Sequence, residues 1–196
     1  MIVALSLLVL AIAWRLTIGM GHRHDFEWIH NFAPLSAIAL CGARYLPRRL
    51  ALALPLVALF ITDLVLNAYY SASLLSVEML ARYVALALIS AGGWALRRTP
   101  RAAATLGASL LGSALFFFLT NTASWITDPG YAKTLAGLGQ SLTTGLPGFP
   151  PTLTFFRHTL VSDLVFTAIF IAAMAIARRR SAESHAPLAA EPARWA

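Results

Sequence analysis

The sequence is poor in charged residues: only 12% of its 196 residues are Asp, Glu, Lys or Arg, whereas 59% are hydrophobic. A soluble domain carries about 25% charged residues, so this composition, with a mean hydropathy of +0.72, excludes an ordinary soluble protein. The alternating segments of roughly ten residues that build a membrane β-barrel are also missing. Apolar runs of about 16 to 24 residues recur instead, the length that a helix needs to cross a bilayer. We therefore predict an all-α membrane protein.

Cysteine and the common catalytic motifs are also scarce. Cys41 is the only cysteine, so no disulfide can form within the chain and the compartment cannot be inferred from cysteine content. The sequence has no CxxC, no HExxH, no glycine-rich phosphate loop and no nucleophile elbow. We therefore predict that the protein is not an enzyme and carries no cofactor.

Six apolar runs predict a bundle of six transmembrane helices. They extend from about Ile2 to Ile18, Pro34 to Leu46, Leu50 to Asn67, Val77 to Leu96, Ala104 to Ile126 and Leu153 to Ala177. The second run is short, and Pro55 is expected to bend the third helix.

The segment between the last two runs, residues 127–152, is rich in glycine, proline and threonine, and it is too polar to span. We expect it to form a long loop with a short surface helix near Tyr131 to Ser141. The whole chain then reads as a single transmembrane domain over residues 1–180, followed by a disordered cytoplasmic tail over residues 181–196.

The net charge of +7 is concentrated in arginines at the edges of the apolar runs. With six spans, nine of them fall on one side of the membrane: Arg44, Arg48, Arg49, Arg97, Arg98, Arg101, Arg178, Arg179 and Arg180. The loops on the opposite side carry Arg23 and Lys133. By the positive-inside rule, both termini are predicted to be cytoplasmic, in a bacterial inner membrane. The same placement argues against nucleic acid as a partner.

Several polar side chains fall in the outer half of the predicted spans. A charged group within a span costs about 2.5 to 3.5 kcal/mol on insertion scales, so such groups indicate a functional site. Three arginines (15, 82, 157) and three carboxylates (63, 78, 163) could instead form buried pairs that fix helix register. The two interpretations are compatible, because an ion-pair network can form the floor of a pocket open to the outside. The candidate substrate-binding residues are Arg15, Trp28, His30, Asn31, Asp63, Asn67, Arg82, Asn121, Trp125, Arg157, His158 and Asp163.

The connection between the first two runs, GMGHRHDFEWIHNFAP, is the most polar stretch among the outer loops. Its histidines and acidic residues offer donors suited to zinc, nickel or cobalt, which makes His22 and His24 candidate metal ligands. Their spacing follows no regular metal motif, so the rim of a pocket is the favoured interpretation. Asn31 is expected to cap the second helix, with Pro34 in its first turn.

Four stretches carry a resemblance to a known family: HNFAPLSAIALCGARYL, LPLVALFITDLVL, FFFLTNTASW and FFRHTLVSDLVFTAIF. Together they resemble a family of small bacterial membrane proteins of unassigned function. That family is in turn similar to the S-components of energy-coupling factor (ECF) transporters. The similarity covers about residues 10–175, and its motif positions in this chain are Asn31, Asp63, Asn121, Arg157 and Asp163.

The resemblance implies a six-span protein that binds a vitamin or metal from the outer side. S-components then topple in the membrane against a transmembrane coupling subunit driven by two ATPases. They commonly dock through an Ala-x-x-x-Ala face on the first span. Here Ala4 is followed by Leu8, and Ala11 by Arg15, so that face is absent. Docking could use another helix, or the protein could act alone.

Three functions remain open from the sequence. The first is a substrate-binding subunit for uptake of a small nutrient such as a vitamin or corrinoid, with the lipid bilayer, the ligand and a coupling subunit as partners. The second is an accessory or structural subunit of a larger membrane complex. The third is a membrane-embedded enzyme acting on lipid or an isoprenoid, in which Asp63 and Asp163 would have to converge on a metal.

Overall fold

A computed structural model describes residues 2–20, 32, 34–71, 73, 75–99 and 101–184. Within these ranges the chain forms seven α-helices and no β-strand, which confirms the all-α prediction. The helices are α1 (Ile2–Met20), α2 (Leu35–Tyr45), α3 (Ala53–Tyr70), α4 (Val77–Ala95), α5 (Ala102–Thr127), α6 (Leu135–Leu142) and α7 (Thr152–Ser184). A 3₁₀ turn over Leu96–Arg98 extends α4. The short helix α6 lies where the sequence predicts a surface helix.

Five of these helices, α1, α3, α4, α5 and α7, are long and apolar enough to cross a membrane. The second predicted span is different, because α2 has only 11 residues. At a rise of 1.5 Å per residue it is about 16 Å long, roughly half the thickness of a hydrocarbon core. The described residues therefore support five membrane-crossing helices, and a sixth crossing at α2 stays a prediction.

Hydrogen bonds define one end of the bundle, which we call the loop end. The hydroxyls of Tyr69 and Tyr70, at the end of α3, donate to carbonyls at the end of α1. The hydroxyl of Thr127, at the end of α5, donates to Glu78 in the first turn of α4. The loop end thus holds the ends of α1, α3 and α5, the start of α4, and α6.

The opposite end, which we call the basic end, joins the last turns of α2 and α4. Arg44 donates from its two terminal nitrogens to the carbonyls of Leu96 and Thr99. Conversely, Arg97 donates to the carbonyls of Ala43 and Leu46, at the end of α2. Carbonyls at a helix C-terminus lack partners in their own helix, and cations are favourable there. Each of these two parallel helices therefore has its C-terminus capped by an arginine of the other.

The helix α2 lies at the centre of the bundle. Every residue from Ser36 to Ala43 is buried, and α2 contacts α4 more extensively than it contacts any other helix. The two backbones approach closely at Gly93, where an added Cβ would lie 2.2 Å from the carbonyl oxygen of Leu40. The absence of a side chain at this position allows the contact.

Substitution of Gly93 tests this close approach. Gly93→Ala is expected to cost about 1 to 3 kcal/mol through overpacking, measured as a fall in the thermal unfolding midpoint of the protein in detergent. The neighbouring Gly92 is the matched control, because an added Cβ there meets no atom within 4 Å. Gly92→Ala should be neutral or should stabilise α4, since alanine is the better helix former. Equal midpoints for the two variants would contradict the contact.

Pro55 lies in the first turn of α3, at its third residue. A proline in a first turn breaks no hydrogen bond within the helix, because the amides there have no intrahelical partner. The expected bend within the third helix is therefore not required. Pro55 is buried and packs beside Gly42 of α2.

Candidate functional site

Asp63 in α3 is the centre of a charged cluster that joins three helices. Its Oδ1 accepts from Arg15 of α1 and, at 3.2 Å, from Nη1 of Arg82 of α4. Its Oδ2 accepts from the hydroxyl of Tyr83 at 2.6 Å. Arg15 also donates to the carbonyl of Leu59, one turn before Asp63. Of the three arginines and three carboxylates for which buried pairs were predicted, Arg15, Asp63 and Arg82 are thus paired in the structure.

The charges of this cluster do not balance, because two guanidinium groups share one carboxylate. The side chains of Arg15 and Asp63 are 5% and 2% exposed, whereas that of Arg82 is 32% exposed. The buried pair is thus closed to solvent, and the excess positive charge lies on Arg82. A pocket next to Arg82 would therefore attract an anion.

Such a pocket is present: a cavity of about 240 Å³ lies between α2, α4, α5 and α7. Its lining residues are Leu35, Arg82, Phe116, Phe117, Thr120, Asn121, Thr152, Phe155, Phe156 and Thr159. Among the predicted site residues, Arg82 and Asn121 line it. The wall is therefore mainly aromatic, with one cation and a few hydroxyl and amide groups.

The polar groups of the cavity are positioned by their own helices. The side-chain amide of Asn121 donates to the backbone carbonyl of Phe117 at 2.8 Å. The hydroxyl of Thr120 donates to the backbone carbonyl of Phe116 at 2.8 Å. The hydroxyl hydrogen of Thr120 and one of the two amide hydrogens of Asn121 are thereby used. The oxygens of both side chains are left to accept hydrogen bonds from a ligand. Arg82 supplies the donors.

Asp163 in α7 belongs to a second, separate cluster. It is fully buried, and its Oδ1 accepts from the backbone amide of Ala37 at 3.0 Å. Its Oδ2 accepts from the hydroxyl of Ser113 in α5 at 2.7 Å. Ala37 is the third residue of α2, and Pro34 at the N-cap position offers no side-chain cap. Asp163 thus caps α2 from another helix.

The segment between α5 and α7 packs against those two helices, and hydrogen bonds within it and to the end of α5 hold its shape. Trp125 donates its indole N–H to the carbonyl of Ala132 at 2.8 Å, and Lys133 donates to carbonyls of Trp125 and Asp128. Burial raises the pKa of Tyr131 in this segment, and the nearby Asp128 carboxylate raises it further. The phenol therefore stays protonated. Trp125 acts here as a support for the connection.

The other predicted site residues lie apart from the cavity or outside the described residues. Asn67 is half-buried and donates to the carbonyl of Ser73 at 3.3 Å, which holds the turn after α3. Arg157 is exposed on α7 and His158 is half-buried, and neither lines the cavity. The predicted site residues that lie outside the described residues are Trp28, His30 and Asn31, together with the candidate metal ligands His22 and His24. Within the described part of the chain, no three His, Cys, Asp or Glu side chains come together as a metal site.

Sequence reasoning missed Tyr83, which holds Asp63, and the phenylalanines of the cavity wall. The phenylalanine runs at 116–118 and 155–156 were visible, but an apolar span gives no sign of which aromatic side chains face inward. Tyr83 directly follows Arg82 in the sequence, and its position next to a charged residue within a span was the signal that could have identified it.

The helices and this cavity define an α-helical protein of the multi-pass membrane class. The chain belongs to a family of unknown function, DUF6580, whose model matches residues 1–187. This match covers all seven helices. Comparison with curated proteins and comparison with solved structures each gave no match.

Proposed function

We propose that this chain is a solute-binding membrane subunit that captures a small nutrient for uptake, in the manner of an S-component. The observation that supports this most directly is the cavity beside Arg82, whose positive charge is only partly offset by Asp63, because Asp63 also pairs with the buried Arg15. A charged side chain within a membrane-spanning helix is costly, so one retained at the edge of a cavity indicates a functional site. The cavity lies towards the loop end, which we assign to the outer side by the positive-inside rule.

The lining of the cavity favours a flat, anionic ligand. The rings of Phe117 and Phe156 lie 4.5 Å apart and tilted by 33°, and they form an aromatic wall. A planar ring stacks well on such side chains. Arg82 would bind a carboxylate or phosphate of the ligand, and the oxygen of Asn121 would accept from a ligand donor.

The volume of the cavity favours a small ligand. Its 240 Å³ lies just below the range of roughly 300 to 1,000 Å³ that is usual for drug-sized ligands. We therefore favour a single-ring carboxylate, such as a simple vitamin or its precursor, over a corrinoid. A corrinoid would need more room than this cavity offers.

Coupling to a transport partner would have to use a surface other than the Ala4 stripe of α1. Ala4, Leu8, Ala11 and Arg15 form the buried face of α1, packed within the bundle. Docking through that face would require the bundle to open. We therefore propose that any coupling subunit contacts another helix or the exposed face of α1.

The enzyme alternative gains no support from the two carboxylates. Asp63 is held by Arg15, Arg82 and Tyr83, whereas Asp163 is held by the start of α2 and by Ser113. They belong to separate clusters, and each has its oxygens already in use.

The test is to identify small molecules that co-purify with the protein by mass spectrometry, and then to measure their affinity for variants. Arg82→Gln is expected to weaken binding of an anionic ligand by roughly 10- to 100-fold, because a hydrogen bond to a charged group is lost. Arg157→Gln is the matched control: it removes the same charge from an exposed position of α7. Its affinity should stay within about twofold of the original.

Arg82→Lys separates loss of binding from loss of folding, since it keeps the charge but not the planar donor pair. It should fold and bind with intermediate affinity. The proposal would be overturned by a protein that carries no small molecule, or by equal affinities of the Arg82 and Arg157 variants.

A further inference from the structure

We propose that the basic end carries a binding site for the headgroup of an anionic phospholipid, formed by Arg48, Arg97 and Arg98 around Trp94. The site is distinct from the cavity beside Arg82. It lies at the end of α4 and the start of the connection between α2 and α3. The proposal does not depend on the proposed transport function, because it rests on a different cavity and different residues.

The site is a surface cavity of about 240 Å³, lined by the three arginines with Trp94 and Ala95. Arg97 is fixed in place: it donates to the carbonyls of Ala43 and Leu46, and its guanidinium lies 5.0 Å from the centre of the Trp94 ring. The C-terminus of α2 and the Trp94 ring thus hold one wall of the cavity rigid.

The other two arginines, Arg48 and Arg98, are exposed at the mouth of the cavity. The described residues form two ion pairs, and Asp63 is the carboxylate in both of them. Asp63 belongs to the separate cluster with Arg15 and Arg82. Glu183 near the end of α7 is the only acidic side chain described at the basic end, and it does not line the cavity. Three like charges around one cavity repel each other, and a bound anion would relieve that repulsion.

The membrane makes a phospholipid the favoured anion. Trp94 is 38% exposed at the end of an apolar helix, the position where tryptophans meet the headgroup level of a bilayer. A phosphodiester accepts paired hydrogen bonds from guanidinium groups, and basic pockets at this level bind anionic headgroups. Phosphatidylglycerol has one negative phosphodiester and suits a cavity with two available arginines.

The experiment uses the full chain in a neutral detergent, titrated with phosphatidylglycerol or with phosphatidylcholine of the same acyl chains. Native mass spectrometry counts the lipids retained, and the unfolding midpoint reports stabilisation. We expect retention and stabilisation by phosphatidylglycerol only. The double variant Arg48→Gln/Arg98→Gln should bind it roughly thirtyfold more weakly.

The matched control is Arg178→Gln/Arg179→Gln, which removes two exposed arginines from the same end, outside the cavity. Its affinity for phosphatidylglycerol should fall by less than about threefold, because only general surface attraction is reduced. Both doubles change exposed side chains, so their midpoints without lipid should stay near that of the original protein.

Three results would overturn the proposal. The first is an equal loss of affinity in the two double variants, which would show attraction by the whole basic surface. The second is retention of phosphatidylcholine as strong as that of phosphatidylglycerol. The third is stabilisation by inorganic phosphate at the same concentration, lost in the Arg48→Gln/Arg98→Gln variant, which would point to a soluble phosphate as the ligand.

Discussion

Replacing Asp63 with alanine is expected to lower the unfolding midpoint of the protein in detergent by roughly 10 °C, because breaking a buried ion pair costs about 3 to 5 kcal/mol. The carboxylate is 2% exposed and is the ion-pair partner of both Arg15 and Arg82. Its removal leaves the Arg15 guanidinium, itself 5% exposed, without a countercharge. It also removes the acceptor of the Tyr83 hydroxyl, and it removes the ion pairs that link α3 to α1 and α4.

Two further variants isolate the cause of this loss. Glu183→Ala removes a carboxylate from an exposed position of α7 and should leave the midpoint within about 2 °C. The double variant Arg15→Met/Asp63→Leu removes the buried pair together and should recover most of the loss, because no buried charge is left over. A double variant as unstable as Asp63→Ala would show that packing at these positions, rather than charge, dominates.

Replacing Asp163 with leucine is expected to destabilise the protein by about 3 kcal/mol, because inside the bundle the amide of Ala37 loses its acceptor and the hydroxyl of Ser113 loses one of its two acceptors. Asp163→Asn should lose about half as much. Its amide oxygen can still accept from Ala37, and Ser113 also donates to the carbonyl of Ser109. The measurement is the unfolding midpoint of each variant in the same detergent.

The neighbouring Ser162 is the matched control for Asp163. It is also fully buried, but its hydroxyl has no hydrogen-bond partner. Ser162→Ala should therefore be neutral or slightly stabilising. If Asp163→Leu were equally neutral, the capping of α2 from α7 would be refuted.

The positions of the long helices could be predicted from the sequence, because an apolar run must be helical to cross lipid. The end of α7 could not, since this helix continues to Ser184, past the predicted end at Ala177. The run that begins at Ile2 and the one that begins at Val77 start where the structure has them. The pairing of Asp63 with Arg15 was also foreseeable, since charged groups within spans seek partners. These predictions need only the local chain and the cost of exposing polar groups to lipid.

The cap on α2 could not be predicted in the same way. Asp163 lies 126 positions after Ala37, so only the finished bundle brings the two together. The sequence pointed to Asn31 as the cap because it precedes the helix, and that residue lies outside the described ones. The aromatic wall was hidden for a similar reason: in an apolar helix, hydropathy does not distinguish an inward Phe116 from a lipid-facing Phe118.

The brevity of α2 has a consequence for how the chain is made. A helix about 16 Å long is too short to cross the bilayer by itself, and its main partners, α4, α5 and α7, all follow it along the chain. When α2 leaves the ribosome, therefore, α1 is the only helix already available for it to pack against. Burial of α2 requires the later helices, and its N-terminus is capped last, because Asp163 is near the end of the chain. The centre of the protein is therefore among the last parts to assemble.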